Sequence, residues 1–319
     1  MEQVHMTHRI ASTLLLAVAA GAACTAPAAD QRPPALSGVD TALTVPLDRP
    51  ALEAIMGRAG AELAGGVLRF GMPRTDLQVT ARGVRIKPAF ALGSWLALKP
   101  TPQGALAMGD LVLLDTELEA VLSKLQEAGI EQSAIHHHLV GESPRLLYTH
   151  IHAMGDPARI ATGVRAALAL TGTPFPAANA ALPAPSSAPL DLDTAGIAAA
   201  IGVHGTVNGG VYQFGVPRAA PVHDGGMEIP STMGLATAIN FQPTGGGKAA
   251  ITGDFVMEAR EVNPVLRTLR AHGIDVVSLH NHLLTEEPRL FFMHFWAVDD
   301  AVTLARGLRA ALDSTASRR

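Results

Sequence analysis

Apolar positions along the chain change period in a fixed order, and the order occurs twice. A short helical stretch around Pro50–Arg58 comes first, with a counterpart near Thr194–Ile201. Alternating β-branched and apolar runs follow at Val67–Gly71, Trp95–Leu98 and Ala105–Leu114, then again at Val211–Gly215, Ala236–Phe241 and Ala249–Met257. A period near two is that of a half-buried strand, and the Pro/Gly clusters at 100–104 and 243–247 are hairpin turns. Glu117–Ala128 then shifts to a helical period, with Leu118, Val121, Leu122 and Leu125 on one face and Gly129 in the stop position. Val262, Val265, Leu266, Leu269 and Gly273 repeat that pattern. A strand pair, Ala134–Val140 with Arg145–Ala153, and a closing helix, Pro157–Leu170, complete the first set, and Ala301–Leu312 closes the second. The predicted class is α+β: two tandem copies of a mostly antiparallel sheet with helices packed on one side.

A direct internal repeat underlies this order. Gly65-Gly66-Val67 with Phe70-Gly71-Met72-Pro73-Arg74 recurs as Gly209-Gly210-Val211 with Phe214-Gly215-Val216-Pro217-Arg218, an offset of 144 from Gly65 to Gly209. The same offset relates Gly109-Asp110 to Gly253-Asp254 and Pro144-Arg145 to Pro288-Arg289. Residues 173–189 are a Pro/Ala/Ser stretch without periodicity, which makes 37–172 the first repeat domain and 190–314 the second.

Composition narrows the partners. A net charge of −4 and only four lysines leave no basic surface for a phosphate backbone, so no nucleic acid is expected. Residues 1–24 read as a signal peptide, with an apolar run from Ile10 to Ala23 that is short for a membrane span. The single cysteine, Cys24, ends that run as in a bacterial lipobox, although Gly21 stands where an aliphatic residue is usual. Lipidation at Cys24 would make residues 25–36 a tether; cleavage after Ala28 would discard the cysteine. Either way the expected location is outside the cytoplasm, in the periplasm or at the cell surface, with the lipid as the sole membrane contact.

Histidine supplies the candidate chemistry. Of 13 histidines, His136, His137, His138, His150 and His152 crowd one strand pair, and His280, His282 and His294 occupy its counterpart. Alternation puts His136 and His138 on one face and His137 on the other. Pairing symmetrically about Pro144 sets His138 opposite His150 and His136 opposite His152; the second copy sets His282 opposite His294 and His280 opposite Trp296. Each copy is thus expected to carry its own site for a divalent transition metal, zinc or copper, because neutral imidazoles suit both ions. A metal-free pocket for a small ligand and a structural role stay open as alternatives. Glu142 and Glu286 are candidate catalytic bases, or turn-capping partners of Arg145 and Arg289. Arg74 and Arg218 are candidates for gripping a substrate anion, and Asp110 and Asp254 for orienting ring nitrogens.

The segments HHHLVGESPRLLYTH and HNHLLTEEPRLFFMH, with the upstream Phe-Gly-x-Pro-Arg motif, resemble the LppY/LpqO family of bacterial lipoproteins, a domain of unknown function. That resemblance implies an envelope lipoprotein and no particular activity. The residues themselves leave three functional classes: a metal-binding envelope protein, a metal-dependent hydrolase or oxygenase, and a metal-free ligand-binding module, with repeat-to-repeat packing inside the chain.

Overall fold

A computed structural model of the chain describes residues 44–175 and 189–318. Cys24, the leader, the tether and most of the 173–189 stretch lie outside the described residues. The described residues belong to one compact unit.

Each copy forms a six-stranded antiparallel sheet. In the first copy the strands are β1 (Ala61–Leu63), β2 (Val67–Pro73), β3 (Gly93–Thr101), β4 (Gly104–Leu114), β5 (Glu131–His136) and β6 (Leu146–Gly155), in the order β1-β2-β3-β4-β6-β5. In the second they are β7 (Thr206–Asn208), β8 (Val211–Pro217), β9 (Ala236–Gly245), β10 (Lys248–Glu258), β11 (Asp275–His280) and β12 (Leu290–Asp300), in the equivalent order β7-β8-β9-β10-β12-β11. Three longer helices accompany each sheet, α1 (Arg49–Met56), α2 (Leu118–Glu127) and α3 (Pro157–Leu168), then α4 (Thr194–Ile201), α5 (Ala259–Ala271) and α6 (Ala301–Leu312), and the first copy adds a four-residue helix at Pro88–Ala91. The expected α+β class with two tandem sheets therefore holds.

Local chemistry sets the helix ends. The Asp48 carboxylate accepts from the Ala51 N–H at 3.1 Å, and Asp193 accepts from Gly196 N–H at 2.8 Å, each satisfying a donor the first turn leaves unpaired. Gly57 and Gly202 stop the same helices at φ 62° and 87°, a conformation that disfavours a side chain.

Period-two alternation along the central strands divides each sheet into two apolar faces. On β4, Ala105, Ala107, Leu111 and Leu113 join Val121, Leu125, Ile160 and Val164 of the helices in one core. Leu106, Met108 and Val112 point the other way, into clusters that contain Val256, Leu290, Phe292 and Trp296 of the second copy. On β12, Met293 and Phe295 pack under the helices while Phe292 and Trp296 face the first copy. The layers therefore run helix, sheet, sheet, helix, and the face that each sheet turns from its own helices meets the other copy. Polar bonds tie the copies as well: Ser278 Oγ donates to His137 O at 2.8 Å, and Gln242 links to Lys87 N and Arg85 O at 2.8 and 2.7 Å.

The repeated Phe-Gly-x-Pro-Arg motif is part of this framework, which corrects the expectation that Arg74 and Arg218 grip a substrate. Arg74 is fully buried; it donates to the Val112 carbonyl at 2.9 Å and to Glu117 at 2.7 and 3.0 Å, and pairs with Asp76. Arg218 donates to Val256 O at 3.1 Å and to Glu258 and Glu261 at 2.7 Å each. Each arginine fastens the end of one strand to the end of the central strand and the start of the following helix, and both terminal nitrogens of its fork are already used. Arg74→Ala leaves two carboxylates without their buried cation, so its expected cost is about 3–5 kcal/mol; a urea denaturation midpoint that does not move would refute this role.

A candidate metal centre shared between the two copies

Two strands in each copy carry the site inward. Asp110 on β4 lies directly opposite His150 on β6, and Asp254 on β10 opposite His294 on β12. All four are buried and point from the middle of their sheets toward the other copy. Glycine precedes each aspartate for a steric reason: a Cβ on Gly253 would sit 2.0 Å from Ala238 O, and one on Gly109 2.6 Å from Trp95 O. The carbonyls of these glycines accept from His294 Nδ1 at 2.7 Å and His150 Nδ1 at 3.3 Å.

The remaining imidazoles arrive from the edge-strand ends and the hairpin loops, with a register that differs from symmetric pairing about Pro144. His136 faces Tyr148 and Ala134 faces His150; in the second copy His280 faces Phe292 and Ser278 faces His294. β5 ends at His136 and β11 at His280, so His138 and His282 belong to the loops. The pairing is displaced by four positions, from His152 to Tyr148 opposite His136, and an even displacement keeps every side chain on its expected face. The histidines therefore still converge.

They converge across the copies, which corrects the expectation of one separate site per copy. His136 stacks on His280 with ring centroids 3.7 Å apart, His138 lies 3.9 Å from His294, and His150 lies 3.8 Å from His282. Three groups have ligand atoms mutually within 4.8 Å: His136/His138/His294, Asp254/His280/His282 and His136/His150/His280. Two of the three mix residues of both copies, and the first two share no residue.

Electrostatics make this cluster poor as a purely structural feature. A carbonyl oxygen can only accept, so the Nδ1 atoms of His150, His282 and His294, bonded to Gly109, Gly234 and Gly253, carry the proton. Their Nε2 lone pairs are left facing the cluster. His282 Nε2 lies 3.0 Å from Asp254 Oδ2, and His138 Nε2 lies 3.2 Å from Asp110 Oδ2 and 3.0 Å from His136 Nε2. Among the described residues, the Nε2 atoms of His150, His280, His282 and His294 and the Oδ1 atoms of Asp110 and Asp254 are buried without a hydrogen-bond partner. Burial pushes the imidazole pKa values down, to about 3 for His282 and for His294 and well below the ordinary value for His136, His138, His150 and His280, where the neighbouring rings add to it. Burial raises Asp254 to about 6. Neutral imidazole lone pairs and carboxylate oxygens aimed at one dry volume form a donor set that fits a divalent cation. The aspartates, expected behind the histidines, instead present oxygens to the same space as the Nε2 atoms.

Other candidates lie apart. His152 is outside the cluster, with Nε2 3.2 Å from Asp224 Oδ2 and Nδ1 3.8 Å from Glu131, because it sits one pleat farther along β6, beside a register irregularity between Gln132 and Ala134; its counterpart is Trp296. Glu142 accepts from Leu146 N at 3.2 Å, and Glu286 accepts from Leu290 N at 2.9 Å and lies 3.3 Å from Arg289. Both glutamates hold their hairpin turns through Oε1, while Glu286 Oε2 is buried without a hydrogen-bond partner among the described residues. Arg69 and Asp224 also stand near the site without a motif to mark them: Asp224 has no repeat-related signal, and Arg69 stands where the second copy has Gln213.

A family model described as Domain of Unknown Function (DUF1259) matches residues 50–170 and again 195–314. The chain belongs to that family. No curated protein matches this DUF1259 chain. Among solved structures, that of a trimeric bacterial microcompartment shell protein, PduB, is similar over 80% of this chain and 89% of its own, at 12% identity and a TM-score of 0.21, a score that does not establish a common fold.

The depressed histidines of this DUF1259 protein set its acid response. In the metal-free state the unfolded chain takes up protons at the ordinary histidine pKa of about 6.5 while the folded cluster does not, so stability is complete above that value and falls as pH drops toward about 3. The raised Asp254 has the opposite sign between about 3.8 and 6, one group against six. Metal-free protein should lose unfolding free energy steadily from pH 6.5 to pH 4 in urea titrations, and a flat profile over that range would contradict the buried, neutral cluster.

Proposed function

We propose that this protein is an exported envelope protein, anchored by a lipid on Cys24, that holds two divalent transition-metal ions in one composite centre built jointly by its two copies. The observation that carries the metal assignment is the set of buried, unpartnered Nε2 and carboxylate atoms between the sheets. One ion takes His136, His138 and His294 and the other takes His280, His282 and Asp254, the two groups with no residue in common; Asp110 and His150 stand beside them. Nitrogen and oxygen donors without thiolate suit zinc or copper(II). The envelope location rests on the apolar run before Cys24 and on the likeness to LppY/LpqO lipoproteins.

A cleft of about 750 Å³ reaches Asp110, His138, His150, Asp254, His282 and His294. Access of that size favours metal-dependent chemistry, hydrolysis or oxygenation, over a closed structural or storage site. With Asp254 among the ligands of the second ion, Asp110 is the carboxylate beside the ions placed to move a proton.

Plasma mass spectrometry on tag-free protein tests the shared centre. Wild type is expected to carry two ions per chain. The triple variant His136→Ala/His138→Ala/His294→Ala removes all protein ligands of one ion and should keep one ion per chain. A site confined to the first copy would be indifferent to His294→Ala alone, whereas in the shared centre that variant weakens the ion held by His136 and His138. Wild type that takes up no metal would sink the proposal.

A further inference from the structure

The histidines of the cluster recur in both copies, His136 with His280, His138 with His282 and His150 with His294, but the cleft walls that lead to them do not match. The third residue of β2 is Arg69 and the third of β8 is Gln213. Trp95, opposite Gly71, corresponds to Ala238, opposite Gly215. Both members of each pair line the cleft. The Gln213 amide is fully engaged, donating to Ala89 O at 2.8 Å and Asn240 Oδ1 at 3.0 Å.

Arg69 is different. Its guanidinium lies over the Trp95 ring, 4.3 Å from the centroid, and among the described residues makes one long hydrogen bond of 3.4 Å, to Thr232 O. Among the described residues no carboxylate lies within ion-pair distance of it, in contrast to Arg74 and Arg218, whose forks are filled. Burial lowers its pKa to about 10, so it remains a cation at neutral pH, with Asp110 as its charge neighbour in the cleft. Stacking on an aromatic ring fixes the plane of a guanidinium and leaves its edge donors free for a planar, bidentate acceptor. The first copy has thus placed a cation and an aromatic plate on one wall, while the second, with Ala236 and Ala238, leaves room on the other.

We propose that this cleft binds a small organic molecule carrying an oxyanion, a carboxylate or a phosphate, which the Arg69 fork grips against Trp95 while the rest of the molecule reaches toward the histidine–aspartate cluster. Only this second contact rests on the metal reading.

Isothermal titration of benzoate, phenyl phosphate and inorganic phosphate into metal-loaded wild type, Arg69→Gln and Arg69→Lys tests it, with metal content measured on the same samples. Expected are binding of at least one of the organic anions, a loss of about tenfold or more in affinity in Arg69→Gln with unchanged metal content, and partial recovery in Arg69→Lys. Benzoate against phenyl phosphate distinguishes the carboxylate from the phosphate source. The inference is overturned if none of the three anions binds, if inorganic phosphate alone binds, or if Arg69→Gln binds as wild type does. Samples without metal that still bind an organic anion through Arg69 would support the grip while the metal reading fails; metal-loaded samples indifferent to Arg69 would do the reverse.

Discussion

Placing six imidazoles and two carboxylates between two sheets costs free energy unless each lone pair finds a partner. Protein groups provide that partner on one side only: the glycine carbonyls take the Nδ1 protons of three rings and leave their Nε2 atoms turned inward. The remaining arrangement follows from this requirement. Strand glycines admit close carbonyls, aspartates stand opposite histidines, and two hairpin loops bend inward to bring His138 and His282 to the same volume.

Duplication is the device that closes the site. A single sheet of this kind has one face covered by helices and a second that is apolar at its ends and polar at its centre. Apposing two copies buries the apolar ends as the clusters around Met108 and Phe292 and around Tyr148 and Trp296, and encloses the polar centre between them. Each copy supplies the partner residues of the other, so the centre belongs to neither alone. Where the copies diverge, at Arg69 and Gln213 or Trp95 and Ala238, the divergence falls on the cleft walls, the part of the molecule in which asymmetry can serve an asymmetric ligand.

Agreement between the copies has two different physical origins. Arg74 and Arg218 recur because a buried cation with two carboxylates and a carbonyl locks strand ends to a helix start. Glu142 and Glu286 recur because their carboxylates accept backbone N–H groups in the hairpin turn. His136, His138 and His150 recur with their counterparts as members of the cluster, where backbone donors and acceptors leave them incompletely paired. Repetition alone does not separate these cases; the partners of each polar atom do.

The alternation of apolar residues, the helix caps and the 144-residue offset were sufficient for the class, the strand and helix order and the duplication, because those depend on local period and turn chemistry. They also placed the clustered histidines on a common face, since side-chain direction along a strand depends only on parity, which an even shift in register preserves. Tertiary structure decided the rest. Register depends on where a long loop turns and on a strand irregularity, and it separated His152 from the cluster. Which face meets which copy depends on packing between residues more than a hundred positions apart, and that packing made one shared centre out of two predicted ones. Whether an arginine is spent depends on neighbours brought by other strands, which is why Arg74 and Arg218 became framework and Arg69, unmarked by any repeat, became a cleft cation with no carboxylate within ion-pair distance among the described residues.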